Sequence, residues 1–504
     1  MTVPTRTPDR LAAALERYEA VIGIEVHCRL KTASKMFCGC TNDSDRLPPN
    51  TATCPVCLGL PGSLPVANRR AVELVLATGL ALGARIPPTT RWERKNYFYP
   101  DLPKGYQISQ YEIPLTADGR LTFDTSEGPV TVRIRRAHLE EDTAKLLHVP
   151  GPDGAPISLV DFNRSGAPLM EIVTEPDVRT PEQARRYAEE LQLLLRTIGA
   201  SDADMERGQL RVEANVSLRP RGSEEYGTRV EIKNMNSFRS VERAIAYEIE
   251  RQAAALDAGE ALVQETRGWD EARGATVFQR SKEYSEDYRY FPEPDLPPLV
   301  VDRAWLDEIA ARLPELPADR RARYRTAFGL SAYDASVIVA DPTMTVAFEA
   351  ILAAGPDLPA KEVANLVTGD YGRAAKETEE RTADGLVGRA SAAELADLLR
   401  RVVAGELSRP NAKEVLAEHL ATGRPVGEIV EERGFRQISD AEALGRLVDE
   451  VVAANPQAVA DVRAGKAQAI GFLVGQVMRR TRGQANPALV QAVLRERLGG
   501  GGAS

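Results

Sequence analysis

The chain has 504 residues, 43% hydrophobic and 27% charged, with 64 basic and 73 acidic side chains and a net charge of −9. That length suits two to four domains, and the acidic balance excludes a simple nucleic-acid coat while leaving room for a local basic patch. No apolar run approaches the roughly 18–20 residues of a membrane span, and Met1–Tyr18 lacks a signal-peptide core, so the expected setting is the cytoplasm.

Residues 1–18 read as a poorly ordered leader with at most one helical turn. From Tyr18 to about Val301, alternating patterns punctuated by glycine and proline predict strands at Val21–His27, Val130–Glu140, Leu210–Leu218 and Arg229–Lys233. Pro181–Ile198 and Ser240–Leu256 read as helices between them, the first capped by Thr180 ahead of an N-terminal proline. Four of the five cysteines fall in one short stretch, Cys38-x-Cys40 and Cys54-x-x-Cys57, separated by thirteen residues. Tetrahedral Zn²⁺ needs four soft ligands, and two closely spaced pairs supply them from two tight turns. A redox pair at Cys54 and Cys57 would leave Cys38 and Cys40 unexplained. Cys28 stands apart as a small buried hydrophobe.

Arg94–Tyr111 carries four tyrosines and three basic residues in eighteen positions. Such a composition serves a protein interface, a nucleic-acid contact or a core loop. The proline-rich run Phe291–Leu299 reads as a boundary or docking segment. Beyond it the spacing predicts amphipathic helices at Asp302–Leu313, Pro317–Phe328 and Ala392–Ala404, then a last helical unit over roughly 426–498. Gly499–Ser504 reads as a flexible end. The class expected is α+β: a sheet-rich first half and an all-helical second half.

The chemistry lies on the polar faces of the strands. Residues two apart share a face, which pairs Glu25 with His27 and His138 with Glu140, sets Arg211, Glu213, Asn215 and Ser217 in one row, and aligns Arg229, Glu231 and Lys233. Strand by strand, each suits a sheet with one solvated face. Together they collect several carboxylates and an imidazole, a donor set for a hard cation such as Mg²⁺ that also holds phosphate oxygens. Arg211 and Lys233 would then meet phosphate charge. The chain contains neither a P-loop nor a dinucleotide fingerprint, so a nucleotide would sit on the acid-lined sheet through metal ions. It also lacks a recognisable cysteine–histidine glutaminase or amidase signature.

Several long stretches resemble the B-subunit family of bacterial aspartyl/glutamyl-tRNA(Asn/Gln) amidotransferases: Ile22–Leu30 (IGIEVHCRL), Thr53–Pro65 (TCPVCLGLPGSLP), Lys95–Gln110 (KNYFYPDLPKGYQISQ), His138–Leu146 (HLEEDTAKL), Ser158–Asp177 (SLVDFNRSGAPLMEIVTEPD), Gly227–Phe238 (GTRVEIKNMNSF) and Asp287–Leu296 (DYRYFPEPDL). Ile470–Pro487 (IGFLVGQVMRRTRGQANP) is similar to that family's YqeY-like tail. The resemblance runs from about residue 19 to 498. It implies an antiparallel-sheet cradle similar to glutamine synthetase over 19–310 with a zinc-bound insertion at 38–57, a helical domain over 311–425, and a small tRNA-binding tail over 426–498.

It also implies a reaction. ATP phosphorylates the side-chain carboxylate of glutamate misacylated on tRNA(Gln), or aspartate on tRNA(Asn), and ammonia then displaces phosphate. The ammonia comes from a glutaminase A subunit, and a small C subunit braces the pair. Glu25, His27, Glu140 and Glu231 match the family's catalytic metal pocket. Glu213 stands where the family usually has aspartate, and Cys28 where it usually has valine. Tyr97 and Lys104 fall in the segment that lines the family's ammonia passage. Gln457–Gly500 holds seven Lys/Arg against two acids, with Arg479, Arg480 and Arg482 after an apolar helix. Cations suit a helix C-terminus in any case; the resemblance directs these three toward tRNA phosphates. Two rivals to the enzyme reading are a non-catalytic tRNA-binding scaffold and a free-standing carboxylate–amine ligase. The shared acid–histidine face disfavours the first, the long helical half the second.

Overall fold

The computed structural model describes residues 8–281, 285–435, 441–464, 466–481, 485 and 487–498. The chain divides into two compact units, the first ending at Ala318 and the second starting at Asp319.

The first unit is built on an eight-stranded sheet. Its strands are β1 (Tyr18–Arg29), β2 (Thr116–Thr125), β3 (Gly128–Glu141), β4 (Pro168–Thr174), β5 (Leu210–Pro220), β6 (Val230–Met235), β7 (Glu265–Asp270) and β8 (Ala275–Ser281). They lie in the order β8-β7-β6-β5-β1-β4-β3-β2. All neighbours are antiparallel except β6 and β7. A long helix joins that pair, and such a crossover is what parallel strands require. The sheet is therefore antiparallel-rich rather than wholly antiparallel as expected.

One face is apolar. Ile22, Ile24, Val26 and Cys28 of β1, Ala137 and Leu139 of β3, Met170 and Ile172 of β4, and Val212, Ala214 and Val216 of β5 are fully or almost fully buried. Five helices contribute to this core: α1 (Pro8–Arg17), α2 (Arg69–Ala81), α3 (Pro181–Thr197), α4 (Phe238–Asp257) and α5 (Arg303–Ala311). Each aliphatic side chain buried there contributes roughly 1.5–3 kcal/mol. The helices start where side chains satisfy their free amides: Asn68 caps α2, Thr180 with Pro181 opens α3, and Ser237 caps α4. The leader expectation is corrected at α1. Ala14 lies in the core, and Leu11 and Leu15 pack against it, so burial of one apolar stripe orders a segment expected to hold at most one helical turn. Residues 1–7 lie outside the described residues.

The aromatic and basic segment folds as two antiparallel strands, Glu93–Asn96 and Tyr106–Ser109, with Phe291–Pro292 added at the edge. Gln107 Nε2 donates to the Glu141 carbonyl at 2.7 Å, and Leu139 N donates to Gln110 Oε1 at 3.1 Å. This small sheet thus walls the end of β3. The proline-rich run is no boundary: Phe291–Pro292 pairs with Glu93–Arg94, Leu299–Val300 pairs with Thr89–Thr90, and buried Glu293 grips Arg94 at 2.7 and 2.9 Å.

The second unit is helical among the described residues. Val426–Glu432 packs against Ala392–Val403 and Arg409–Thr422. The four helices Ala441–Ala454, Pro456–Arg463, Ala467–Arg480 and Pro487–Leu498 enclose a separate apolar core that includes Leu444, Val448, Leu473, Val477, Val490 and Leu494. Among the described residues this terminal core is first met at Leu444, whereas Val426–Glu432 belongs with the preceding helices. No single helix among the described residues is long and apolar enough to cross a membrane.

Candidate functional site

The opposite face of the large sheet carries the polar residues in register. Arg211 of β5 faces His27 of β1, His27 faces Glu171 of β4, and Glu171 faces His138 of β3, forming one transverse row. Two residues along β1, Glu25 faces Glu213; Asn215 faces Glu231, which faces Thr266 of β7. Two groups of possible ligands result.

In the first, His27, Glu140 and Glu171 bring ligand atoms within 4.8 Å of one another. His27 Nε2 lies 3.7 Å from Glu140 Oε1 and 3.6 Å from Glu171 Oε2. His138 Nε2 lies 3.5 Å from Glu171 Oε2. Glu140 and His138 are each 2% exposed and Glu171 8%, so this cluster is removed from water. Burial, then the charge of Glu171, raises the Glu140 carboxyl above its usual range. Burial opposes ionisation of Glu171 too, but His138, His27 and Lys95 hold it well below that range. Burial also opposes charge on His27, yet Glu171, Glu213 and Glu140 lift its imidazole to about 9. His138 is pushed down to about 3, chiefly by burial. The Nδ1 atoms of both histidines are buried without a hydrogen-bond partner among the described residues.

In the second group, carboxylate oxygens of Glu25, Glu213 and Glu231 also lie within 4.8 Å of one another. Here every carboxylate has a short partner. Lys233 Nζ donates to Glu213 at 2.6 Å, Thr266 Oγ1 to Glu231 at 2.7 Å, and Asn215 Nδ2 to Glu25 at 3.0 Å. Burial opposes ionisation of Glu213, while Lys233 and then His27 hold it below the usual carboxylate range. The first group offers carboxylate oxygens and an imidazole, the second carboxylate oxygens alone, and either set fits a divalent cation. The longer side chain of Glu213 does not keep it out of the second group.

The four cysteines Cys38, Cys40, Cys54 and Cys57 converge within the same 4.8 Å limit. Cys54 and Cys57 sulfurs are 3.8 Å apart, the edge of a tetrahedron with Zn–S bonds of about 2.3 Å, which is roughly 3.8 Å. The Cys54 amide donates to Cys57 Sγ at 3.1 Å, and Lys35 Nζ stands 3.7 Å from it. Hydrogen bonding from Cys38, against the effect of burial, lowers the Cys57 thiol to about 5. The set fits a closed metal site. Cys28 lies apart in the core.

Arg211 and Lys233 are engaged by acids: Arg211 donates to Asp142 at 3.1 Å, and Lys233 pairs with Glu213. Lys104 pairs with Glu141, while Tyr97 donates to Gln107 at 3.3 Å and packs edge-on against Tyr99 and Tyr288. Glu141 and Asp142 thus serve neighbouring cations and not the metal-like groups. Arg479 and Arg480 end the helix Ala467–Arg480 and are exposed; Arg480 lies 3.2 Å from Glu450. Arg482 lies outside the described residues.

Sequence reasoning did not assign Glu171, Lys95, Asn215 or Thr266 to the site. For Glu171 a signal was available: a lone carboxylate inside the apolar run Pro168–Thr174 has no reason to be there unless something receives it.

A model of the GatB/GatE catalytic domain matches residues 20–307, and a GatB domain model matches 346–498. A relative from Moorella thermoacetica is 52% identical over 481 residues, covering 95% of this chain and all of that protein. One from Roseiflexus sp. is 52% identical over 483 residues (95% and 98%), and one from Thermomicrobium roseum 51% over 481 residues (95% and 99%). Each of the three is named as the B subunit of aspartyl/glutamyl-tRNA(Asn/Gln) amidotransferase. With two matching domain models and half of its residues shared across nearly its whole length, the chain belongs to the GatB family.

Proposed function

We propose that this chain is the amidating subunit of a tRNA-dependent amidotransferase, a carbon–nitrogen ligase acting on Glu-tRNA(Gln), Asp-tRNA(Asn) or both. The observation that carries the reading is the pair of carboxylate groups side by side on one sheet face, one around His27, Glu140 and Glu171, the other around Glu25, Glu213 and Glu231. On this reading the sheet is a cradle of the glutamine synthetase kind, and each group would hold one Mg²⁺. Bound there, such ions neutralise charge on a transferring phosphoryl group. The substrate's side-chain carboxylate oxygen attacks the γ-phosphorus of ATP and ADP departs. Ammonia nitrogen then attacks the acyl carbon, the C–O bond to phosphate breaks, and phosphate and a proton leave.

The chain's own residues prepare this. Arg211 and Lys233, held beside the two groups, would exchange carboxylate contacts for phosphate oxygens. Tyr97 and Lys104 would border the entry of ammonia made by the A subunit, with a C subunit completing the complex. The four cysteines would hold a structural Zn²⁺, and Arg479, Arg480 and Arg482 would contact tRNA phosphates. A scaffold that only positioned tRNA would have no use for six clustered donors whose burial costs stability unless they are compensated.

The test is the Glu140→Ala variant of the assembled complex. The expected result is loss of tRNA-dependent ATP cleavage with glutamine hydrolysis still measurable. Undiminished ATP-dependent amidation would overturn the assignment. Removing residues 426–504 should separately weaken tRNA binding and flatten its dependence on salt, leaving glutamine hydrolysis in place.

A further inference from the structure

Asn215 lies beside the second carboxylate group and is 8% exposed. Its Cα is in register with Gly23 on one side and Glu231 on the other. Its Nδ2 donates to Glu25 Oε1 at 3.0 Å, whereas its Oδ1 is buried with no hydrogen-bond partner among the described residues. The opposite rotamer of the amide is excluded, because it would set Oδ1 against a carboxylate oxygen, acceptor facing acceptor. A buried acceptor left unpaired costs about 1–3 kcal/mol, so its partner is something that arrives.

The space for an arriving group is present. Asn215 borders a cavity with Gly23, Glu25, Ser217 and Tyr226, whose lining also carries Arg135 and Arg229. A Cβ on Gly23 would meet only Pro176 Cα, at 4.0 Å, so the sheet face is bare backbone beside the amide. Lys233 Nζ lies 2.6 Å from Glu213 and 3.9 Å from Glu231, and the three carboxylates that converge here are the oxygen donors a divalent cation takes. Mg²⁺ dehydrates reluctantly and keeps several waters, and water bound to a dication is a strong donor.

Resting on the two-cation reading above, we infer that Asn215 is a positioning residue for the cation of the second group. Its NH₂ fixes Glu25, and its carbonyl oxygen accepts a hydrogen bond from a water carried by that ion. Outer contacts of this kind typically set metal affinity by 10–100-fold.

The experiment titrates Mn²⁺, followed by electron paramagnetic resonance, into the full-length chain within its complex after divalent cations are removed with a mild chelator. No substrate is present. The wild type is expected to take up two ions. Asn215→Leu, similar in volume, should weaken one of them on the order of 10–100-fold and leave the other unchanged. Asn215→Ala should do the same if the branched side chain is poorly tolerated. Ser217→Ala is the control: it lines the same cavity, its Oγ donates to the Val21 carbonyl at 3.3 Å, and it should change neither ion. Two ions bound with unaltered affinity in both Asn215 variants would overturn the inference alone. Equal weakening of both ions would also overturn it, because Asn215 would then merely support the sheet. A wild-type complex that binds fewer than two ions would overturn the two-cation reading itself.

Discussion

The two carboxylate groups share a sheet face and neighbouring strands, yet they balance charge differently. Around His27, Glu140 and Glu171 the imidazole and carboxylate atoms stand 3.5–3.7 Å from one another and from His138. Around Glu25, Glu213 and Glu231 each carboxylate is engaged at 2.6–3.0 Å by lysine, threonine or asparagine. The partners in the first group are more distant, Ser109 Oγ reaching Glu140 at 3.4 Å, and a poorly paired buried charge is expensive, so the first group is the one that most needs an ion to be stable. The second carries a counter-ion in Lys233 and can stand without one, at the cost of having to move that lysine when an ion enters. Similar ligand chemistry is thus tuned by second neighbours into sites of different strength.

The widest test of the comparison asks whether both groups serve one reaction. Glu140→Gln and Glu213→Gln should each lower tRNA-dependent amidation by several kcal/mol, on the order of 10³-fold, measured as single-turnover amide formation. A large loss in only one variant would break the pairing of the groups. Next in size is the cysteine site of the same unit. Cys54→Ser should cost about 3 kcal/mol and release the bound metal, read by denaturant unfolding and by metal analysis, with less effect on chemistry than on stability.

A contrast in metal-free stability separates the two groups. Glu213→Gln leaves Lys233 half-buried beside a neutral amide and should cost about 2 kcal/mol. Glu140→Gln removes a buried charge that Glu171 repels and should cost nothing or stabilise the chain; unfolding in the presence of chelator reads both, and equal losses would refute the difference. Lys233→Met should then make the second group resemble the first, raising its Mn²⁺ affinity about tenfold, since one charge removed is worth roughly 1–2 kcal/mol at this range. The smallest effect expected is for Thr266→Val. It deletes only the hydroxyl that holds Glu231, and should cost about 1 kcal/mol with a few-fold loss of affinity at the second group alone.

Much of this is legible in the sequence where the signal is local. The strands at β1, β3, β5 and β6 and the helices α3 and α4 follow from period-two and helical patterns, caps and a proline, all read within a few residues. The leader is misread because a short apolar stripe such as Leu11, Ala14 and Leu15 orders only when a core exists to receive it. The proline-rich run is misread because prolines suit an edge strand as readily as a linker, and only Arg94, about 200 positions away, shows which.

The amino-acid sequence by itself determined which residues share a face: Glu25 with His27, Glu213 with Asn215, four cysteines within one turn-rich stretch. That follows from the fixed two-residue period of a strand and from short loops. Only the tertiary structure decided which faces meet. Strand order sets β4 between β1 and β3, and this alone brings Glu171 between His27 and His138. The pairing of β1 with β5 joins residues about 190 positions apart and sets Glu25 against Glu213. Register between distant strands is chosen by how their apolar faces pack together, so the ligand groups exist only once the core has formed.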